Sequence, residues 1–188
     1  MSPEKLDLLQ GTLDLGIHYS ADKNYVPRPI GYCDASFSSD RDDSKSHSGM
    51  AFFYGNGIVS HSSNKQSCVA LSTMEAEYVA ATEAAKESIF INNVLGAIGN
   101  CTDDPVPLYT DSKAAYDHVK NNVNHSQTKH IQRRYHYIRE ACNDGRVALE
   151  KIPAVDQAAD VLTKPLARQK HAQALELLNM KQMDLTQA

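Results

Sequence analysis

Four acidic side chains stand where carboxylates are expensive. Asp34 lies inside or at the end of the run Ile30-Gly31-Tyr32-Cys33-Asp34-Ala35-Ser36-Phe37. Asp111 directly follows Leu108-Tyr109-Thr110, and Asp160 sits in the turn Ala158-Ala159-Asp160-Val161-Leu162. A charge on an apolar element costs free energy unless it is paired or binds a metal. Taken one at a time, each is better explained by a helix cap or an ion pair with a nearby base, and Asp111 could cap the helix that follows it. The fourth acid is Glu75 or Glu77, two residues apart and so pointing in different directions from a helix. Glu77 heads the small-residue row Ala80, Ala81, Ala84 and Ala85, the face that can lie close on a sheet. Glu75 leads toward Val79, Thr82 and Glu83, and stands three residues after Ser72, as a capping box requires. Glu77 is therefore the acid expected to face the sheet.

Asp34, Glu77, Asp111 and Asp160 gathered at one sheet edge would repel one another. They could stay ionised together only if cations neutralised them. An all-oxygen donor set suits Mg²⁺ or Mn²⁺, which keep several waters and bind substrate phosphates. Two such ions roughly 4 Å apart clamp the attacking and leaving oxygens of a phosphodiester.

The elements that would position these acids follow from the pattern of the chain. Leu13, Leu15, Ile17 and Tyr19 alternate as one strand within a leading segment, 1–29, which ends in a polar stretch with two prolines. A strand from Ile30 is expected to end near Asp34. Strands over 48–54 and 58–62 are joined by the hairpin signal Gly55-Asn56-Gly57. Ser72 caps a helix expected to reach about Leu95. Then come a strand over 106–110, helices over 112–120 and 128–143, and a strand over 146–152. A short helix over 157–162 and a final helix over 167–180 complete the order, with 167–188 read as a C-terminal helix and tail. Three adjacent strands followed by strands separated by helices predict a mixed α/β sheet with helices packed on it.

The chain has 188 residues and 19 Lys+Arg against 23 Asp+Glu, a net charge of −4. A strongly basic coat for nucleic acid is excluded, so any such contact needs a local patch. One exists: from His118 to Arg139 there are five Lys/Arg and four His but no acid. Lys129, Arg133, Arg134 and Arg139 are its candidate phosphate contacts; the alternative is a solvated helix face. His125, His130 and His136 are spaced poorly for zinc. Asp40, Asp42 and Asp43 read as solvated loop charges. Ser46 and Ser48 either touch a phosphate or shape their turn. The uncharged stretches 46–64 and 88–102 are too polar or too short to span a membrane. The N-terminal segment has no apolar core of a signal peptide. Four scattered cysteines suggest reduced thiols in an intracellular compartment.

Several motifs in order carry a resemblance. Gly31-Tyr32-Cys33-Asp34-Ala35-Ser36-Phe37, the stretch 72–80 with Ala76-Glu77-Tyr78, and Tyr109-Thr110-Asp111-Ser112 are three of them. Thr128-Lys129-His130-Ile131, Arg134-Tyr135-His136-Tyr137-Ile138-Arg139-Glu140 and Asp160-Val161-Leu162-Thr163-Lys164-Pro165 are the others. Together they resemble the ribonuclease H domain of a Ty1/copia-type LTR retrotransposon Pol polyprotein, over about 11–178. The resemblance implies an α/β ribonuclease H-like fold, a five-stranded mixed sheet of order 3-2-1-4-5 with helices on both faces. It places the domain at 30–166 and makes 1–29 the connection from the polymerase side. It implies an Asp-Glu-Asp-Asp site at Asp34, Glu77, Asp111 and Asp160 for two Mg²⁺ or Mn²⁺ ions. Asp34 would bridge both ions, Asp160 would complete the water-activating site, and Glu77 and Asp111 would hold the other. The implied activity is hydrolysis of the RNA strand of RNA–DNA hybrids, with the reverse transcriptase part of the same polyprotein as a further partner. The implied place is the cytoplasm, in virus-like particles, or the nucleus. No Y-x-D-D polymerase motif is present. The chain lacks Trp, which relatives carry near Phe37, His61 and Phe90, and has no His in 151–157. A non-catalytic binding module on the same fold is the alternative; the four acids weigh against it. An Asp rather than a Glu as the last acid weighs against a DDE integrase.

Overall fold

In a computed structural model of the chain, the described residues are 12–19, 28–40, 42–100, 103–120 and 129–183, the side chains of 129–135 excepted. The strands are β1 (Leu15–Ile17), β2 (Ile30–Ser36), β3 (His47–Tyr54), β4 (Gly57–Lys65), β5 (Val106–Thr110), β6 (Val147–Lys151) and β7 (Met180–Gln182). The helices are α1 (Thr73–Ala97), α2 (Lys113–Lys120), α3 (Lys129–Asn143) and α4 (Arg168–Leu177), with single 3-10 turns at Ala154–Asp156 and Asp160–Leu162. Five strands form one sheet in the order β4-β3-β2-β5-β6. The β2/β3 and β3/β4 pairs are antiparallel, and the β2/β5 and β5/β6 pairs are parallel. Counted from β2, this is the expected 3-2-1-4-5.

The β3–β4 hairpin turns on Gly55 and Asn56, both at positive φ (64° and 61°), the backbone a two-residue hairpin needs. β4 runs on to Lys65, past the expected end at 62, because His61-Ser62-Ser63-Asn64-Lys65 still pairs with β3 although it carries no apolar face. α1 begins on Ser72, whose Oγ accepts from the Glu75 N–H, while the Glu75 carboxylate accepts from the Leu71 N–H. It closes on Gly99 at φ 77°, with the Asn100 N–H reaching back to Leu95 O. Its first half is buried almost all round; its second half emerges, exposing Phe90 and Val94.

One sheet face packs Cys33, Phe52, Leu108, Val147 and Leu149 against Tyr78 and the alanine row of α1, Val119 of α2 and Ile138 of α3. The other face packs Ala51 and Phe53 against Ala158 and Leu178 of the C-terminal segment. No described helix is long and apolar enough to cross a membrane.

Three details differ from expectation. β2 does not stop near Asp34 but pairs with β3 through Ser36, since Ala35 and Ser36 fit the ladder as well as their neighbours. The segment 157–162 is not a helix; Gln157 separates two 3-10 turns and spends its side chain on the sheet. The final helix stops at Leu177, because Asn179 at φ 52° turns the chain into β7, which pairs antiparallel with β1. Asn179 Nδ2 donates to His18 O (2.5 Å) and Asn56 O (2.9 Å), and Tyr19 donates to Ile58 O (2.7 Å). The first described strand is thus clasped to the last one beside the β3–β4 turn.

Candidate metal centre

The strand order reverses between β2 and β5, where chains leave in opposite directions and open a crevice. The two strands pair at Gly31↔Leu108 and Tyr32↔Tyr109. One residue later, Cys33 O accepts from Gln157 Nε2 (3.0 Å) rather than continuing the ladder to β5. Asp34 and Asp111 stand just past this parting. Glu77 comes across from the second turn of α1, where it meets the Ala35 backbone N–H. One carboxylate oxygen from each of Asp34, Glu77 and Asp111 lies within 4.8 Å of the others. Asp34 is 2% exposed and Glu77 7%.

Such crowding has a measurable cost. Burial, followed by the Asp34 and Asp111 charges, pushes Glu77 up to about 9. Asp34 is also raised: burial leads, the Thr163 hydroxyl and Lys164 oppose it, and the charges of Asp160 and Asp111 reinforce it. The same burial and the same three acids push the Cys33 thiol well up. Glu77 Oε2 is buried with no hydrogen-bond partner among the described residues. An all-oxygen set, mutual repulsion and an orphaned carboxylate oxygen fit a hard divalent cation.

Asp160 opens the second 3-10 turn and stands outside the three-oxygen cluster. Its Oδ1 pairs with Lys164 Nζ at 2.5 Å, and the same Nζ lies 3.9 Å from Asp34 Oδ2. Burial works against the Lys164 charge, but the Asp160 hydrogen bond and the Asp34 charge outweigh it and raise its pKa. The Thr163 hydroxyl donates to Asp34 Oδ2.

The turn reaches this position because the sheet beneath it is bare. Gly49 of β3 lies directly opposite Asp34. A Cβ there would fall 2.7 Å from Thr163 Cγ2 and 3.0 Å from both Ala159 O and Leu162 Cβ. Ser63 Oγ pins Leu162 O from β4 (2.6 Å).

The remaining candidates divide. Arg139 donates through Nη2 to His118 O (2.6 Å), tying α3 to the end of α2. Lys129, Arg133 and Arg134 lie on α3 with side chains outside the described residues, as does His130; His125 lies outside them altogether. Ser46 Oγ accepts from the Ser38 N–H and Ser48 Oγ from Gln66 Nε2, so both shape their surroundings. Asp40 is more than a solvated charge: a hydrogen bond from Lys65 and the Asp42 N–H hold it at about 2. Sequence reasoning gave no role to Gly49, Gln157, Thr163 or Lys164. The last two belong to the motif at 160–165, yet residue type alone does not show that they reach Asp34.

The sheet order and its two covered faces are the ribonuclease H fold. LC11-RNase H1, isolated from compost, superposes with a TM-score of 0.56 at 18% identity, over 73% of this chain and 93% of its own. The same protein in complex with an RNA/DNA hybrid gives 0.52 at 16% identity, over 72% and 94%. The chain itself belongs with the retrovirus-related Pol polyproteins of plant transposons. It is 43% identical over 150 residues to that of transposon TNT 1-94 from Nicotiana tabacum, 80% of this chain. It is 36% identical over 163 residues to that of transposon RE2 from Arabidopsis thaliana, 87% of this chain. The match spans 11% of the length of each polyprotein. No protein-family model matches the sequence.

Two outcomes follow from this geometry. Glu77 is held near 9 against an ordinary 4.5, so its ionisation penalises the metal-free fold. The penalty is absent below the lower value, grows as pH rises and is complete above the upper one. In EDTA, Glu77→Gln should therefore be more stable than the parent at pH 7.5, by up to about 4 kcal/mol. Urea unfolding at pH 7.5 and pH 4.5 reads this; an equal difference at both pH values would contradict it. Gly49→Ala should lift the second 3-10 turn from β3 at a cost of about 1–3 kcal/mol. Hydrogen exchange should then quicken over 157–164 while β3 and β4 stay protected; uniform protection would show the turn tolerates the methyl.

Proposed function

We propose that this chain is a divalent-metal-dependent endoribonuclease of ribonuclease H type, acting on the RNA strand of RNA–DNA hybrids formed in retrotransposon reverse transcription. The observation that carries this reading is the convergence of Asp34, Glu77 and Asp111 from three separate elements within 4.8 Å, with Glu77 Oε2 left without a partner among the described residues. A structural ion pair would have supplied a base at each carboxylate. The relatives' Pol polyproteins and the fold neighbour bound to an RNA/DNA hybrid support the substrate class. The reverse transcriptase part of such a polyprotein is the proposed partner, 1–29 the connection to it and 30–166 the catalytic unit. The proposed setting is the cytoplasm, in particles, or the nucleus.

Asp34, Glu77 and Asp111 would hold Mg²⁺ or Mn²⁺, with Asp160 as the fourth carboxylate, in a site for two ions. When bound, the ions supply Lewis-acid polarisation of the phosphodiester and lower the pKa of the attacking water. Each side chain has its own task. The buried Asp34 sits at the crevice floor, where its orientation is fixed by the Thr163 hydroxyl. Glu77 is presented from a helix whose start is locked by Ser72 and Glu75, so its carboxylate needs little reordering. Asp160 is carried on a separate segment and can be brought up to the other three. The hybrid's phosphates are met by the basic run on α3, through Lys129, Arg133 and Arg134.

Cleavage of a labelled RNA–DNA hybrid tests the proposal, with RNA–RNA and DNA–DNA duplexes as controls. The parent should cut only the RNA strand of the hybrid, and EDTA should stop it. Asp34→Asn keeps side-chain size but removes the charge, and should lower cleavage by at least about 10³-fold with hybrid affinity nearly unchanged. Cleavage by Asp34→Asn at the parent rate would refute the metal mechanism. A parent that binds hybrid without cutting it would leave the binding-module alternative.

Arg133→Ala with Arg134→Ala should weaken hybrid binding and reduce the slope of log affinity against log salt by about 1–2. Unchanged affinity across salt concentrations would return both arginines to surface charge.

A further inference from the structure

Among the described residues, Lys164 is the one cation in ion-pair contact with the carboxylates of the site. It is set there by its own backbone: the preceding residue, Thr163, is bonded through its hydroxyl to Asp34, and the same oxygen lies 3.1 Å from Asp160 O. From that anchor the ammonium touches Asp160 at 2.5 Å and stands 3.9 Å from Asp34. These are the two carboxylates that belong to different halves of the site, one on the sheet and one on the docked turn. An ammonium between two carboxylates makes the contacts that a divalent ion between them would make. Both cannot occupy the same space, and their charges repel.

We propose that Lys164 is a placeholder cation: its ammonium holds Asp160 to the metal-free site and is displaced when a divalent ion takes Asp160 and Asp34. This rests on the metal-centre reading above and adds a competitor to it. The displaced side chain has somewhere to go. Lys164 is 42% exposed, and it lines a groove of about 640 Å³ with Asp111, Gln157, Asp160 and Lys170. Swung into that groove, which Lys170 also lines, its ammonium leaves the carboxylates. The exchange keeps the local charge supplied at every stage: lysine before the ion, the ion afterwards.

A placeholder and a purely structural lysine make opposite forecasts for metal affinity. Lys164→Met keeps the unbranched stem and loses the charge; Lys164→Gln keeps a polar end and is read in parallel. Mn²⁺ binding is measured by the electron paramagnetic resonance signal of the free ion, with circular dichroism confirming the fold and Asp34→Asn as the blank for this site. Removing a competing charge a few ångströms away should tighten Mn²⁺ binding roughly tenfold in both variants. Both should also melt lower than the parent in EDTA, by about 3 °C or more, and gain more than the parent on adding Mn²⁺. Lower stability together with weaker or unchanged Mn²⁺ affinity would overturn the placeholder and leave a structural ion pair. Absence of Mn²⁺ binding in the parent and in both variants would instead remove the metal-centre reading, and the placeholder with it. Binding by the variants but not by the parent would be the placeholder in its strongest form.

Discussion

Keeping several carboxylates together in a place that water barely reaches is the constraint on which the rest of this structure depends. Two like charges 4 Å apart repel by about 4 kcal/mol at an effective dielectric of 20. The chain meets this in three local ways. Glu77 is pushed up far enough to keep its proton at neutral pH. Asp34 receives the Thr163 hydroxyl. Asp160 receives the Lys164 ammonium. Asp111, at the crevice mouth, is only partly buried. None of these devices gives Glu77 Oε2 a partner. The site is therefore stable enough to fold but incompletely satisfied.

The topology makes such crowding possible. Strands β2 and β5 are neighbours for two paired positions and then part. If they had stayed paired, Cys33 O would belong to the ladder and Gln157 would have no anchor in the sheet. Small residues let everything else approach. The alanine row of α1 brings Glu77 down to β2, and Gly49 lets the second 3-10 turn rest on β3 opposite Asp34. Even Gly31 serves packing, since a Cβ there would lie 2.5 Å from the Phe52 ring.

Strongly periodic or sharply punctuated elements were readable from the sequence. β5 runs up to Asp111, the hairpin turns on Gly55 and Asn56, and α1 starts on Ser72 and Glu75. Glu77 could be separated from Glu75 by helical geometry, and that separation holds: Glu75 is spent on the Leu71 N–H while Glu77 meets Asp34 and Asp111. Elements whose reason lies far away in the chain were not readable. β7 is the tripeptide Met180-Lys181-Gln182, with no strand pattern, and exists because β1 and Asn179 receive it. The outer half of β4 is serine and asparagine, which local propensity assigns to a loop and the β3 ladder holds as a strand. The contacts of Thr163 and Lys164 with Asp34 span roughly 130 residues of sequence, and no local rule reports them.

This difference in readability matches a physical division of the site. Asp34, Glu77 and Asp111 are fixed by regular elements whose backbone bonds and buried faces are continuous with the main core. Asp160 rides on 3-10 turns whose hold on the sheet is Gln157 to Cys33 O, Ser63 to Leu162 O, Thr163 to Asp34 and the small cluster at Ala158. Single turns with 3-10 geometry contribute little stability of their own. The local opening free energy of 154–164 is therefore set by these few contacts and lies below that of the sheet. One of them, Thr163 to Asp34, ends on a carboxylate itself, and the Lys164 ammonium adds an ion pair to Asp34 at 3.9 Å. Docking of the fourth acid and neutralisation of the first are thus one event: whatever loosens the charge balance at Asp34 also loosens the segment that carries Asp160. A change in charge at Asp34 would therefore act on the docking of 157–164 as well as on the sheet residue itself.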